Sequence, residues 1–155
     1  MKTSTLAFAA LAAAAAPFVF AAGAQAQTSV DLNGGVSIFD DPDTTAATGR
    51  LGANFTPNFG AEGELSIDLG GDGFDTAIGL FGRGTLPVND QFELLGRLGY
   101  ASAEGEGSGD DGGVAIGAGG ILMLDGRNGL RFDYTRYDFG DDANAISFTY
   151  VRRLN

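Results

Sequence analysis

The stretch "GGDGFDTAI", residues 70–78, has the spacing of a calcium-binding nonapeptide, in which glycines turn the backbone and aspartates supply oxygen ligands. That chemistry works in tandem: each turn completes the cage of its neighbour and buries an apolar residue against it, so about three or more copies are needed. The chain has one copy. Ala77 stands where the large apolar residue belongs, and the next Gly/Asp cluster, "GSGDDGG" at 107–113, is distant and out of pattern. The calcium-repeat reading is set aside. The chain also contains neither cysteine nor histidine, so it offers no thiol nucleophile and no imidazole base. The residues that remain for chemistry are arginines and carboxylates: Arg50, Glu62, Glu64, Arg83, Glu93, Arg97, Arg131 and Asp133. Each sits at an alternate position inside an otherwise apolar segment. Their chemistry is ion pairing, which is strongest where water is excluded.

The elements that carry them have period two. Eight segments alternate apolar with polar or small residues, at about 29–39, 47–55, 59–69, 76–86, 91–103, 114–124, 130–137 and 145–154. One face of these strands is apolar and holds two charges, Arg136 and Arg152. The other holds eleven: Asp31, Arg50, Glu62, Glu64, Asp68, Arg83, Glu93, Arg97, Arg131, Asp133 and Arg153. A soluble barrel would turn the apolar wall inward, and a transmembrane barrel would turn it to lipid.

The connections favour the second arrangement. Short turns, "TPN", "PVND" and "DGRN", alternate with longer links of seven to ten residues, as in barrels with short periplasmic turns and long external loops. Glycines on the apolar face (Gly34, Gly49, Gly63, Gly82, Gly84, Gly96 and Gly120) would leave gaps in a soluble core, but lipid tails accommodate them. The long links are expected to carry Asp40, Asp41, Asp43, Asp72, Asp75, Glu104, Glu106, Asp110, Asp111, Asp138, Asp141 and Asp142, with no basic residue among them. They read as a solvated surface, with divalent cations bridging to lipid phosphates as the functional alternative. "GGDGFD" is then a loop tip, and "DTAIGL" opens the fourth strand.

The N-terminus reads as an export signal. Lys2 precedes an alanine-rich apolar run over residues 6–22, and "AQA" at 24–26 offers a peptidase site between Ala26 and Gln27. The expected division is a cleaved signal over 1–26 and one barrel domain over 27–155. Without Lys2, eight arginines oppose 20 acidic residues, a net charge of −12 that excludes a nucleic-acid partner. The lack of cysteine rules out a disulfide. No apolar run of the mature chain approaches the roughly 20 residues of a membrane helix.

Four stretches carry a family resemblance: "FGAEGELSIDLG", "ELLGRLGYASAE", "GVAIGAGGILML" and "LRFDYTRYDFGDD". In their order and spacing the chain, over 28–154, resembles the stand-alone eight-stranded outer-membrane barrels of the OmpA/OmpX type. The resemblance implies an all-β, antiparallel, up-and-down transmembrane barrel with a polar interior, in the outer membrane of a Gram-negative bacterium. It implies outer-membrane lipid and the barrel-assembly machinery as partners, no cofactor and no enzymatic activity. Barrels of this size that act on lipopolysaccharide lean on a histidine that this chain lacks. The chain departs from the family at its end, "ISFTYVRRLN", where Leu154 stands in place of the usual aromatic residue. No peptidoglycan-binding domain is expected after the eighth strand.

An eight-stranded barrel is only just wide enough for its own side chains, so the interior charges should pair into a closed network. Small residues near the external mouth (Ala77, Gly79, Gly99, Ala115, Gly117 and Gly119) leave room for water or a ligand. The role expected is structural or surface-interacting. The alternatives are a small pore or a lipid- or solute-binding barrel, and then a soluble periplasmic barrel.

Overall fold

A strand whose side chains alternate between two environments must pair on both edges, and eight such strands in sequence can satisfy every edge only by closing on themselves. In the computed structural model they do. It describes residues 29–40, 43–70, 74–105, 108–139 and 142–154, with the side chains of 108–111 excepted. The signal segment expected over residues 1–26 lies outside the described residues. The strands are β1 (Ser29–Asp40), β2 (Asp43–Asn54), β3 (Phe59–Asp68), β4 (Thr76–Pro87), β5 (Phe92–Gly105), β6 (Ser108–Met123), β7 (Asn128–Asp138) and β8 (Asp142–Arg153). Each pairs antiparallel with the next, and β1 closes on β8 from Asp31↔Arg153 to Phe39↔Ala145.

The distribution of side chains is inverted relative to a water-soluble protein. Leu98, Ile116 and Phe148 are 58%, 57% and 53% exposed, while Arg131, Glu62 and Asp133 are 1%, 1% and 0% exposed. An apolar belt of this extent is stable against lipid and not against water. The soluble-barrel alternative therefore falls.

Three connections share one device. Residues 55–58, 88–91 and 124–127 each place a short polar side chain at their second position, and it caps the N–H groups that follow. Thr56 Oγ1 accepts from the N–H of Phe59 at 2.9 Å, and Asn89 Oδ1 from those of Gln91 and Phe92 at 2.9 and 2.8 Å. Asp125 Oδ1 accepts from the N–H of Arg127 and of Asn128, both at 2.7 Å. The Asn128 side chain, with those backbone groups, holds the Asp125 carboxyl below its usual range. These turns and both ends of the sheet, Ser29 and Arg153, lie at one end of the barrel, the turn end.

At the far end the strands run on past their expected limits. Only residues 41–42 separate β1 from β2, 106–107 separate β5 from β6, 139–141 separate β7 from β8, and 69–75 separate β3 from β4. Links of seven to ten residues alternating with short ones are therefore not the rule. The ladders continue to Asp40↔Asp43, Gly105↔Ser108 and Asp138↔Asp142. The reason is physical. Period two reports a difference between two environments, and beyond the lipid both faces of a hairpin meet water, so pairing continues where the pattern stops. Asp40, Asp43, Glu104, Asp110, Asp111, Asp138 and Asp142 are thus strand residues and not loop residues.

Close packing of neighbouring strands makes a simple test. A Cβ on Gly99, which faces inward on β5, would lie 2.0 Å from the Leu80 carbonyl oxygen and 2.7 Å from Phe81 Cα. On the outward face of the same strand, a Cβ on Gly96 would meet nothing within 4 Å. Gly99→Ala should destabilise the barrel by roughly 1–3 kcal/mol, and Gly96→Ala should be neutral or slightly stabilising. Thermal melting read by heat-dependent gel mobility checks this, and equal midpoints would contradict the packing described.

Candidate functional site: the interior ion network

Inward positions of β2 and β3 carry the first pair. The turn at 55–58 sets the register Arg50↔Glu64, and Arg50 Nε donates to Glu64 Oε2 at 2.6 Å. The rest of the guanidinium crosses the barrel to β7: Nη1 donates to Asp133 Oδ2 at 2.8 Å and Nη2 to Oδ1 at 3.2 Å. Glu64 is shared. Arg97 Nη2 lies 2.7 Å from its Oε2, and the Tyr137 hydroxyl donates to its Oε1 at 2.6 Å.

Glu62 is the hub. It accepts from Arg83 Nη1 at 3.0 Å, from Arg97 Nη1 at 2.7 Å and from Arg131 Nη1 at 2.5 Å and Nη2 at 3.1 Å. This arrangement answers a local conflict. Arg83 and Arg97 stand directly opposite each other on β4 and β5, an arrangement that like charges disfavour. Glu62 lies between them and offers one oxygen to each. Arg83 is completed by Asp31, through a two-point contact at 3.0 and 2.6 Å, and Arg131 Nε donates to Asp133 Oδ2 at 2.9 Å. Four arginines thus meet four carboxylates, all buried. Beside them a chain of hydroxyls joins four strands: Ser147 to Ser37 at 2.7 Å, Ser37 to Thr48 at 2.7 Å, and Thr48 to Ser66 at 2.8 Å.

Of the eight network residues expected from the sequence, the structure brings seven together: Arg50, Glu62, Glu64, Arg83, Arg97, Arg131 and Asp133. Glu93 stands apart, near the turn end, where both its oxygens face Arg153 Nη2 at 2.8 and 2.6 Å. Asp31 and Tyr137 are members that the expectation left out. Tyr137 was legible, since the inward parity of Arg131, Asp133 and Thr135 continues to it. Among the described residues no three carboxylates converge in a way that could hold a metal ion.

Among the described residues, aromatic rings lie against the small residues of the far end. The Phe81 ring lies across Gly79, whose Cβ would fall 2.5 Å from ring carbon Cε2. The same ring carries the Arg97 guanidinium 3.8 Å from its centroid, a cation–π contact. Above it Phe39, Phe74 and Tyr137 form a buried cluster with Ala46, Ala77 and Ala115, the Phe39 and Phe74 rings meeting edge-on at 4.8 Å. The small residues are where the large rings fit. A vestibule of about 920 Å³ lies at the opposite end and reaches inward between the turns as far as Asp31 and Arg83.

The barrel fold is shared with known proteins. The family described as outer membrane protein beta-barrel domain matches residues 4–153. Among solved structures, the N-terminal β-barrel domain of Pseudomonas aeruginosa OprF is similar at a TM-score of 0.69 and 12% identity, covering 84% of this chain and 100% of that one. Ail, the attachment invasion locus protein of Yersinia pestis, is similar at 0.58 and 14%, covering 84% and 100%. A de novo designed transmembrane β-barrel is similar at 0.66 and 11%, covering 81% and 95%. No curated protein matches. The chain belongs to the outer-membrane β-barrel family.

Removing one partner of a dry ion pair strands the other, at a cost of roughly 3–5 kcal/mol, whereas removing both is far milder. Glu64→Ala should therefore lower the melting temperature much more than Asp90→Ala in the exposed turn at 88–91. Glu62→Ala, which strips a carboxylate from three arginines, should cost at least as much as Glu64→Ala. Adding Arg50→Ala to Glu64→Ala should recover part of the loss. Small and equal effects in all of these variants would mean that water screens the interior.

Proposed function

We propose that this integral outer-membrane protein is a structural, surface-presenting barrel, non-enzymatic and closed to solutes. The observation that carries the reading is the continuity of the interior filling. The ion network spans the middle, and the cluster of Phe39, Phe74, Phe81 and Tyr137 occupies the far half. A solute entering the vestibule at the turn end meets the Asp31–Arg83 contact and could pass only by breaking buried pairs. The turn end faces the periplasm, and the far end faces outward. Residues 1–26 direct export and are removed after Ala26, and the barrel-assembly machinery inserts the remainder.

The far rim bears Asp40, Asp43, Asp138 and Asp142, with Arg136 paired to Asp142. The Ail protein has been solved in complex with the heparin analogue sucrose octasulfate. The rim carboxylates of the present chain repel such a polyanion. They suit a hydrated surface that resists association, with divalent cations as loosely held counter-ions.

Purified protein in planar bilayers should show no steady conductance of porin size at either polarity. A stable, large, voltage-independent channel would overturn the closed-interior reading and support the pore alternative.

A further inference from the structure

The outward wall is not uniform. Near the turn end a groove of about 550 Å³ runs over β5 to β8, walled by Phe92, Leu94, Leu130, Phe132 and Tyr150. Its floor is Gly120, which pairs with Leu94 on one side and Phe132 on the other. Any side chain there would fill it, since a Cβ on Gly120 would already lie 2.8 Å from the Phe92 ring.

Two cations stand at the turn-end mouth of this groove. Arg152 is two positions beyond Tyr150 on the same face of β8, and Arg127 lies in the turn between β6 and β7; both are exposed. The other arginines are engaged: four in the interior network, Arg153 with Glu93, and Arg136 with Asp142. Arg127 and Arg152 have no ion pair of this kind among the described residues. Asp125 feels the charge of Arg152. Its oxygens, however, accept from the Asn128 side chain and the N–H groups of Arg127 and Asn128. The Tyr150 hydroxyl donates to Asn128 Oδ1, which ties this wall of the groove to the first residue of β7.

We propose that this groove is a binding site for one anionic glycerophospholipid of the turn-side leaflet, with an acyl chain over Gly120 and the phosphate between Arg127 and Arg152. The proposal rests on the membrane-spanning reading. Charge complementarity selects the occupant. A second copy inserted the same way round would have to bring a carboxylate to these arginines, and the outward-facing carboxylates of the strands, Asp40, Glu104, Asp138 and Asp142 among them, all lie at the far end of the barrel. Apolar contact alone gives little drive for protein association in lipid, because the tails are as apolar as the groove.

The test is native mass spectrometry of the detergent-extracted, folded barrel, incubated with dioleoyl-phosphatidylglycerol or with dioleoyl-phosphatidylcholine. The wild type should retain phosphatidylglycerol preferentially. Arg127→Gln and Arg152→Gln should each weaken that retention about fivefold, and together they should abolish the preference. Arg136→Gln, at the other end of the outward face, should leave it unchanged. Gly120→Leu should weaken retention of both lipids. Equal retention of the two lipids by the wild type, a preference that survives the double arginine variant, or a dimer in place of bound lipid would overturn the proposal. Heat-dependent gel mobility is read on every sample. A folded barrel without lipid preference sinks this site alone, whereas a protein that stays in solution without detergent sinks the membrane reading beneath it.

Discussion

A closed barrel of eight strands has a narrow interior, and charge placed there must sum to neutrality over contact distances. Everything inside this protein follows from that constraint. Arg50, Arg83, Arg97 and Arg131 point into a space from which bulk water is excluded, and each finds at least two carboxylate contacts among Asp31, Glu62, Glu64 and Asp133, or a carboxylate and a hydroxyl beside it. Only Arg83 has a carboxylate to itself, Asp31, and it too reaches the shared Glu62. Glu62 serves three of them, so the network behaves as one object and not as four bridges.

Because its members come from β1, β2, β3, β4, β5 and β7, the network ties together strands that are not neighbours in the sheet. The hydroxyl chain from Ser147 through Ser37 and Thr48 to Ser66 adds β8 and crosses the seam between β8 and β1. The backbone ladders hold each strand to the next, and the interior holds opposite walls at a fixed separation. Lipid contributes from outside: it accepts Leu98, Ile116 and Phe148 in the positions that water would refuse.

Much of this was legible in the sequence, and the parts that were not have identifiable causes. Strand parity separated the two walls without error for the eleven inward charges, and the turn "TPN" fixed Arg50 opposite Glu64 by counting alone. Partners across the barrel were harder. Arg50 to Asp133 and Arg83 to Asp31 join residues 83 and 52 positions apart, and their meeting depends on strand tilt and closure, which no local pattern records. Small residues at the far end suggested a cavity because sequence shows absent side chains more readily than it shows where a ring such as Phe81 will lean. Strand ends were misplaced for the opposite reason: hairpins that leave the membrane keep their hydrogen bonds after losing their alternation.

The three side-chain-capped turns carry a consequence for how the chain reaches this state. Thr56, Asn89 and Asp125 close their turns within a handful of residues, so β2–β3, β4–β5 and β6–β7 are units of low loop-closure entropy that can form early. Of the ion pairs in the network, only Arg50 with Glu64 and Arg131 with Asp133 lie wholly within such a unit. The others join one unit to another, or to β1. Preformed hairpins therefore carry unneutralised charge on one face, which opposes entry into lipid one at a time. Insertion becomes cooperative: the barrel is admitted to the membrane when its last seam, β1 against β8, brings the carboxylates of one hairpin to the guanidinium groups of the next.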